Sequence, residues 1–300
     1  MKIAPILILA YNRPDYLRNV VDFLQLMDIN KIYFSIDGPK PGNTVDTQLV
    51  MECREIAESA KSWCEVKILS MDKNMGCFLG VTKGIDWFFS HEESGIILED
   101  DLVFDSRALE FLSQGLERYE LDFGIGSVCA YNHLVTFTES IEEVTGFSVF
   151  FPSSWGWATW RNRWELIERD FTSYSHLSYT LDMLKFGGAS NILHWIRLRK
   201  RLLTGSLDSW AYRWLITQVR RNWLSVIPSV SLINNIGFRS DATHTKGSKE
   251  LFGKTSFSQP EVVFTIQFTD SYNSKYQKMV EKKVYGVYPL RLRISKRFLH

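Results

Sequence analysis

The sequence has few cysteines, and their spacing fits none of the usual structural roles. They form no CxxC pair and no closely spaced framework, which argues against a zinc site and against a small secreted domain held by disulfides. We therefore expect a reducing compartment and a cytoplasmic location. The four cysteines are Cys53, Cys64, Cys77 and Cys129.

The chain also lacks an excess of charge of either sign. Its 35 Lys and Arg residues balance 34 Asp and Glu residues, so that the formal net charge is +1. This balance provides no general attraction for a polyanion, and we expect no nucleic-acid partner.

Long apolar runs, internal repeats and low-complexity linkers are absent as well. The first apolar run, residues 3–10, is too short to cross a bilayer, which takes about 20 residues, and no signal-peptide cleavage pattern accompanies it. With 45% hydrophobic residues over 300 positions, the composition predicts a globular protein of one large or two small domains.

The first hundred residues alternate short apolar runs with apolar stripes at helical spacing. This alternation predicts right-handed crossovers and an α/β fold, with a mostly parallel, Rossmann-like sheet flanked by helices. In such sheets, ligands bind at the carboxyl ends of the strands. The predicted strands cover residues 6–9, 31–36, 66–69 and 95–98, and the predicted helices begin at Pro14 and cover 45–62 and 79–89.

Three consecutive acids, Glu99, Asp100 and Asp101, directly follow the fourth predicted strand. Adjacent carboxylates repel one another, whereas a divalent cation between them turns the repulsion into attraction. Their position predicts a cation site, although a solvated turn or a helix N-terminus is the plainer alternative. Arg13 and Asp37 follow the first and second strands, so we expect them at the same edge of the sheet.

Residues 147–164 contain seven aromatic residues. Such a density of rings is typical either of a core or of a groove that stacks on sugar faces. Further on, residues 181–203 predict a helix that ends in a basic patch, and a solvated helix face is the plainer interpretation of that patch. Asp208 precedes the next predicted helix and has the position of a helix N-cap.

Two segments near the end of the chain have a polar or basic character. Residues 234–260 are rich in Gly, Ser, Thr and Lys and predict a mobile loop, in which His244 is a lone histidine that solvent usually surrounds. The tail 288–300 mixes apolar and basic residues. It either contacts an anionic membrane, which would place the protein peripherally on the inner membrane face, or is a solvated end.

Together these motifs resemble glycosyltransferases of the GT-A fold, which include family 2-like enzymes. The resemblance covers roughly residues 4–245 and is greatest to the branch of the N-acetylglucosaminyltransferase that initiates complex N-glycans. Residues 99–102, Glu-Asp-Asp-Leu, match that branch's acidic motif, a variant of the DxD signature. Residues 151–157, Phe-Pro-Ser-Ser-Trp-Gly-Trp, are similar to its acceptor-side loop, and the Trp-Gly-Trp-Ala-Thr-Trp run resembles bacterial members that build surface polysaccharide.

The resemblance implies a role for individual residues. Asp101 would contact a Mn²⁺ or Mg²⁺ ion, while Asp100 would approach the donor sugar or ribose. Asp208, in Leu-Asp-Ser-Trp, matches a Trp-Asp-Asp-Trp stretch whose first Asp is the catalytic base. The implied donor-binding residues are Arg13 on the diphosphate and Asp37 on the nucleoside, with Asn74 and Glu99 beside them, and His244 would reach the metal or diphosphate.

The implied activity is an inverting, metal-dependent transfer of a sugar from a nucleotide sugar, UDP-linked by expectation, to a glycan or glycolipid hydroxyl. We expect a transferase domain at 1–260, with a donor-binding half (1–105) and an acceptor-binding half (106–260), and a basic extension at 261–300. We also expect residues 238–256 to close over the donor. The alternatives are a sugar-1-phosphate nucleotidyltransferase, which would require a Gly-rich phosphate-binding loop after the first strand, and a non-catalytic carbohydrate-binding protein of the same fold.

Overall fold

A computed structural model describes residues 2–134, 143–187, 191–237 and 265–283. Eleven strands and nine helices lie within these ranges. The strands are β1 Ile6–Ala10, β2 Lys31–Ile36, β3 Glu65–Ser70, β4 Ser94–Glu99, β5 Leu102–Phe104, β6 Ile125–Cys129, β7 Glu143–Val149, β8 Trp157–Trp160, β9 Leu224–Pro228, β10 Ile233–Asn235 and β11 Thr265–Tyr272. The helices are α1 Pro14–Gln25, α2 Thr44–Ser59, α3 Gly76–Phe89, α4 Ala108–Arg118, α5 Arg161–Trp164, α6 His176–Gly187, α7 Ile192–Leu203, α8 Trp210–Arg221 and α9 Ser274–Lys283.

Nine of these strands form one sheet in the order β11-β7-β9-β6-β8-β4-β1-β2-β3. β1 to β4 are mutually parallel, as β1 pairs with β2 and β4 and β2 pairs with β3. β8 enters antiparallel between β4 and β6, while β6 and β9 are again parallel. The predicted α/β class and the mostly parallel, Rossmann-like sheet are therefore confirmed.

Helices cover both faces of the sheet, and successive residues of β1 enter two different cores. Ile6 and Ile8 pack in an aliphatic-rich core with α1, α2 and α4, whereas Leu7 and Leu9 pack with α3 and the helices of the second half. Side chains of a strand alternate between faces, so a strand buried on both sides reads as a continuous apolar run. This alternation explains why the strand endings were predictable.

A short antiparallel ribbon of β5 and β10 extends this architecture beyond the acidic triplet. Asn235 of β10 lies opposite Leu102 of β5, the residue after Asp101. The ribbon therefore brings a segment more than a hundred positions away in sequence to the end of β4.

One element differs from the sequence predictions. The single helix predicted over 181–203 is two helices, since α6 ends at Gly187 and α7 begins at Ile192. Within the predicted extension at 261–300, β11 pairs in parallel with β7 of the main sheet.

Several predictions lie outside the described residues. They concern His244, the closing loop at 238–256 and the basic tail at 288–300. Within the described ranges, no helix has both the length and the apolar character required to cross a membrane.

Candidate active site

The acidic triplet lies at the carboxyl edge of the sheet, where β4 ends. Glu99 is the last residue of β4, and Asp100 and Asp101 form the turn before β5. Asp100 and Asp101 are each only 8% exposed. A solvated turn is therefore the wrong interpretation of the triplet, because its two aspartates have lost most of their water.

The electrostatics of the triplet show an excess of negative charge. Burial raises the pKa of Asp100 to about 7, and the charge of Asp101 adds to that shift. Burial also raises the pKa of Glu99 well above its usual value, with Asp101 and Asp100 adding to it. Since Arg13 only partly opposes these shifts, a further cation at this edge would be favourable.

Arg13 directly faces the last of the three acids. Its Nη1 donates to Oδ2 of Asp101 at 2.7 Å, while Asn235 Nδ2 donates to Oδ1 of the same carboxylate at 2.9 Å. Burial raises the pKa of Asp101, and the charge and hydrogen bond of Arg13 oppose that rise. Arg13 and Asp101, predicted separately from the ends of two strands, thus form one ion pair.

Gly237 closes this arrangement from the β10 side. Its N–H donates to Oδ1 of Asn235 at 2.8 Å, and the N–H of Ile236 donates to the carbonyl of Asp101 at 2.9 Å. A Cβ at position 237 would overlap Oδ2 of Asp101 and crowd Nη1 of Arg13. No local sequence pattern marks Asn235 and Gly237 as site residues, because only the ribbon of β5 and β10 brings them to the triplet.

Asp37 is the centre of a second cluster at the same edge. It accepts hydrogen bonds from Asn74 Nδ2 at 3.0 Å, from the Met75 N–H at 2.9 Å and from the Gly38 N–H at 2.8 Å. Burial raises its pKa although these backbone N–H groups lower it. Asp37 and Asn74, both predicted on the donor side, are thus in contact and join the loops after β2 and β3.

Asp208 contacts the N-terminus of α3, the same segment that Asp37 holds from the other side. Its carboxylate accepts from the Cys77 N–H at 2.9 Å and the Phe78 N–H at 3.0 Å. The cap of α8 is instead Ser209, whose side chain accepts from Tyr212. Asp208 does act as a helix cap, but of a helix more than a hundred positions earlier in the chain.

Carboxylates from three parts of the chain affect Cys77, at the start of α3. Burial raises the pKa of its thiol to about 12, and the charges of Glu99, Asp208 and Asp37 add to that rise in descending order. The Met75 N–H donates to Asp37 and the Cys77 N–H donates to Asp208, so two of these carboxylates contact the N-terminal end of α3.

Asp46, in the first turn of α2, holds the loops after β1 and β2 through hydrogen bonds. Its buried carboxylate accepts from Tyr11 Oη at 2.5 Å, Asn12 Nδ2 at 2.6 Å and the Lys40 N–H at 2.6 Å. Burial opposes ionisation, but these hydrogen bonds outweigh it and lower the pKa of Asp46. It fixes the loop that carries Arg13. No sequence pattern marked this residue, because its partners come from separate loops.

Most of the seven aromatic rings at 147–164 belong to the core. Phe151, Trp157, Trp160 and Trp164 are buried. Trp155 is partly exposed and packs edge-on against Tyr131, with 4.6 Å between ring centroids. Because Trp157 pairs with Ile97 of β4 and Tyr131 follows β6, this aromatic pair lies at the edge of the sheet where the triplet ends.

The carboxylates of the triplet suit a divalent cation only if a bound nucleotide supplies further ligands. Among the described residues, no group of three or more His, Cys, Asp and Glu side chains is arranged to hold a metal by itself. Mg²⁺ at nucleotide sites is usually bound by one or two carboxylates together with substrate phosphates. The buried, incompletely neutralised carboxylates of Asp100 and Asp101 suit that kind of binding, in which the nucleotide supplies the remaining ligands.

No protein family matches the chain, and no curated protein matches it. Solved structures do match at low similarity. An apo UDP-glucose pyrophosphorylase is 9% identical over 75% of this chain and 89% of that chain, with a TM-score of 0.36. The inositol-1-phosphate CTP transferase from T. maritima is 10% identical over 74% and 98%, with a TM-score of 0.32. A UDP-glucose pyrophosphorylase complexed with UDP-glucose is 11% identical, and this chain covers 66% of it, just under two thirds, with a TM-score of 0.27.

Proposed function

We propose that the protein is a metal-dependent, inverting glycosyltransferase that moves a sugar from a nucleoside-diphosphate sugar, UDP-linked, to a hydroxyl of a glycan or glycolipid. Its place would be in surface-polysaccharide synthesis. One observation carries this proposal: buried, incompletely neutralised carboxylates meet Arg13 at the carboxyl edge of a parallel sheet, with a second carboxylate cluster alongside. That edge is where such sheets bind nucleotides.

The donor side supplies what the leaving group requires. A cation held by Asp101 would neutralise the leaving diphosphate as a Lewis acid, and Asp100 would approach the donor sugar or ribose. Arg13 is positioned to add a charge-assisted hydrogen bond to a phosphate oxygen. Asp37 and Asn74 would contact the nucleoside from the loops after β2 and β3, and His244 stays a proposed ligand of the metal or diphosphate.

Asp208 is the proposed base. It is exposed to solvent, so an acceptor hydroxyl can reach it, and its position is fixed by two N–H groups at the helix end. A general base must lie within hydrogen-bond reach of the hydroxyl whose proton it takes, and an exposed carboxylate in a fixed position meets that requirement. A single base opposite the leaving group implies one displacement, and therefore inversion at the anomeric carbon.

The aromatic pair of Tyr131 and Trp155 supports a sugar acceptor. Partly exposed rings bind the apolar faces of sugars, and this pair lies at the edge of the sheet that carries the triplet. Its position is fixed from behind, since Asn132 Nδ2 donates to the Pro228 carbonyl at 2.8 Å and the Trp155 N–H donates to Ser153 Oγ at 3.3 Å.

The decisive experiment compares products. The full chain is mixed with UDP-, GDP-, dTDP- and CDP-sugars, with Mn²⁺ or Mg²⁺ or with excess chelator, and free nucleoside diphosphate is measured. We expect metal-dependent release of a nucleoside diphosphate from one donor, slow with water and faster with a glycan acceptor. Undiminished transfer in excess chelator would refute the metal requirement.

A second reaction mixture, of nucleoside triphosphates with sugar 1-phosphates, separates the two alternatives. A sugar-1-phosphate nucleotidyltransferase would release pyrophosphate from this mixture. The loop after β1 argues against it, because residues 11–15 contain no glycine and Pro14 opens α1 directly. A non-catalytic carbohydrate-binding protein would bind the donor and release neither product.

A further inference from the structure

The helical hairpin of α6 and α7 concentrates both positive charge and exposed leucine. Residues 176–203 contain five Lys and Arg residues against one acid, Asp182, which gives +4 in a chain whose formal net charge is +1. The two helices pack together, and Tyr179 Oη of α6 donates to the Trp195 carbonyl of α7 at 2.8 Å. None of the functions proposed above uses this surface.

α7 divides its side chains between an inner and an outer face. Trp195, Leu198 and Leu202 are buried against the protein. Leu193, Arg197 and Lys200 follow one another at helical spacing on the opposite face, and all three are exposed. The exposed Arg201 and Leu203 flank that stripe. α7 contains no acidic residue, so nothing on the helix itself neutralises this face.

α6 repeats the pattern with more apolar surface. Leu177 is 68% exposed and Leu181 is 49% exposed, one helical turn apart, and the exposed Lys185 follows one turn later. Four of the thirteen large hydrophobic residues exposed within the described ranges lie on these two helices. Apolar side chains that lie together on an exposed surface mark interaction sites, including membrane contacts.

We propose that this hairpin surface, defined by Leu177, Leu181, Leu193, Arg197, Lys200, Arg201 and Leu203, docks on an anionic phospholipid bilayer. The basic residues match the negative surface of such a membrane, and the leucines can enter the boundary between headgroups and acyl chains. A nucleic acid or an acidic glycan would satisfy the charges but would offer nothing to the leucines.

The hairpin surface lies close in sequence to Asp208, the proposed base. Only the short segment 204–207 separates the end of α7 from Asp208. A membrane against α7 would hold a lipid-linked acceptor near that carboxylate, and this last step rests on the proposed function. Membrane docking itself does not, because it needs neither donor nor acceptor.

The test is co-sedimentation of the full chain with vesicles, without nucleotide or metal. Vesicles of phosphatidylcholine containing about one third phosphatidylglycerol should bind the protein, and pure phosphatidylcholine should bind it weakly. The triple variant Arg197→Glu, Lys200→Glu, Arg201→Glu should lose at least about a hundredfold in partitioning, since removal of each basic residue costs roughly fivefold and the new carboxylates add repulsion. Arg199 stays unchanged because its side chain donates to the Tyr174 carbonyl within the fold.

A second triple variant has the same net charge and serves as the control. Arg18→Glu, Lys83→Glu, Lys278→Glu reverses three exposed basic residues on α1, α3 and α9 and should change binding by only a few-fold. A further variant, Leu177→Ser with Leu193→Ser, should weaken vesicle binding but not binding to heparin. Melting temperatures of all variants establish that they are folded.

Three results would overturn the proposal: no sedimentation of the native chain with anionic vesicles, native-like binding by the α6–α7 triple variant, or an equal loss of binding in both triple variants. The second result would assign any membrane contact to another part of the chain, such as the tail. Equal loss would mean that overall charge, and not this surface, controls binding. Loss of nucleotide-sugar activity with intact vesicle binding would instead count only against the proposed function.

Discussion

The two faces of the sheet are packed by different kinds of side chain. The face under α1, α2 and α4 is mainly aliphatic. The opposite face contains a cluster of indole rings, in which Trp157 stacks on Trp210 at 5.5 Å between centroids and Trp214 packs against both Trp157 and Trp164. The aliphatic face follows local sequence patterns, whereas the rings join segments that are distant in sequence.

The aromatic core has a consequence for the site. Trp157 pairs with Ile97 of β4, two residues before Glu99, and Trp210 lies two residues after Asp208. The stack of these two indoles therefore fixes the proposed base relative to the acidic triplet. The aliphatic core thus underlies the proposed donor-binding edge, and the aromatic core positions the proposed base, Asp208, relative to that edge. Variants of residues at the carboxyl edge and in the segments joined by the indole rings test this division of roles.

The largest effect is expected from Asp208→Asn. As a base, Asp208 should be worth about 10² to 10⁴ in turnover, while donor affinity changes by only a few-fold. Measurements of turnover, of donor affinity by calorimetry and of melting temperature separate a role as base from a role as the cap of α3. The control Ser209→Ala removes the cap of α8 and should cost about 1 kcal/mol of stability with turnover retained. Turnover within a few-fold of the native value would leave Asp208 only as the cap of α3.

Asp101→Asn should lower donor affinity and turnover together. Arg13 loses its charged partner and the proposed cation loses a ligand, so we expect a loss of roughly 10²- to 10³-fold in kcat/KM. The matched control is Asp105→Asn, which breaks the neighbouring buried pair of Asp105 and Arg107. If both variants affect only stability, the triplet has no role on the donor.

A smaller effect is expected from Gly237→Ala, because a methyl group there must displace Asp101 or Arg13. Overpacking of this kind costs about 1–3 kcal/mol, and the distorted ion pair should also weaken nucleotide binding. Urea unfolding and calorimetry measure the two losses. Gly205→Ala, at φ +70° with open space around it, should destabilise the fold but leave nucleotide binding intact. Native nucleotide affinity in Gly237→Ala would contradict the proposal that nucleotide binding depends on the geometry of the Arg13–Asp101 ion pair.

The smallest effect concerns His133, in the half of the chain predicted to bind the acceptor. Burial lowers its pKa from 6.5 to about 4, although a hydrogen bond to the Pro152 backbone opposes the shift. The unfolded chain therefore binds a proton more readily, and stability is lost as the pH falls from about 6.5 towards 4. His133→Gln should remove about 2 kcal/mol or less of the stability difference between pH 7 and pH 5, read from melting curves. The exposed His176→Gln is the control, and identical pH profiles for both variants would contradict the assignment.

Much of the carboxyl edge of the sheet was predictable because the signals are local. A strand buried on both faces reads as an apolar run, and the residues directly after that run lie at the carboxyl edge of the sheet. Arg13, Asp37 and the triplet were placed in this way. The same reasoning failed for residues 181–203, which belong to two helices instead of one, and gave no sign of Asp46.

The sequence by itself determined the strands, the helices and the edge at which the acids gather, since side-chain periodicity and turn residues act over a few positions. Only the tertiary structure decided that Asn235 bonds Asp101 and that Asp208, 131 positions from Cys77, caps α3 and not the helix that comes after it in the chain. A carboxylate satisfies any N–H group within reach, and which one is in reach depends on how the indole core and the β5–β10 ribbon pack. No pattern along the chain records that choice.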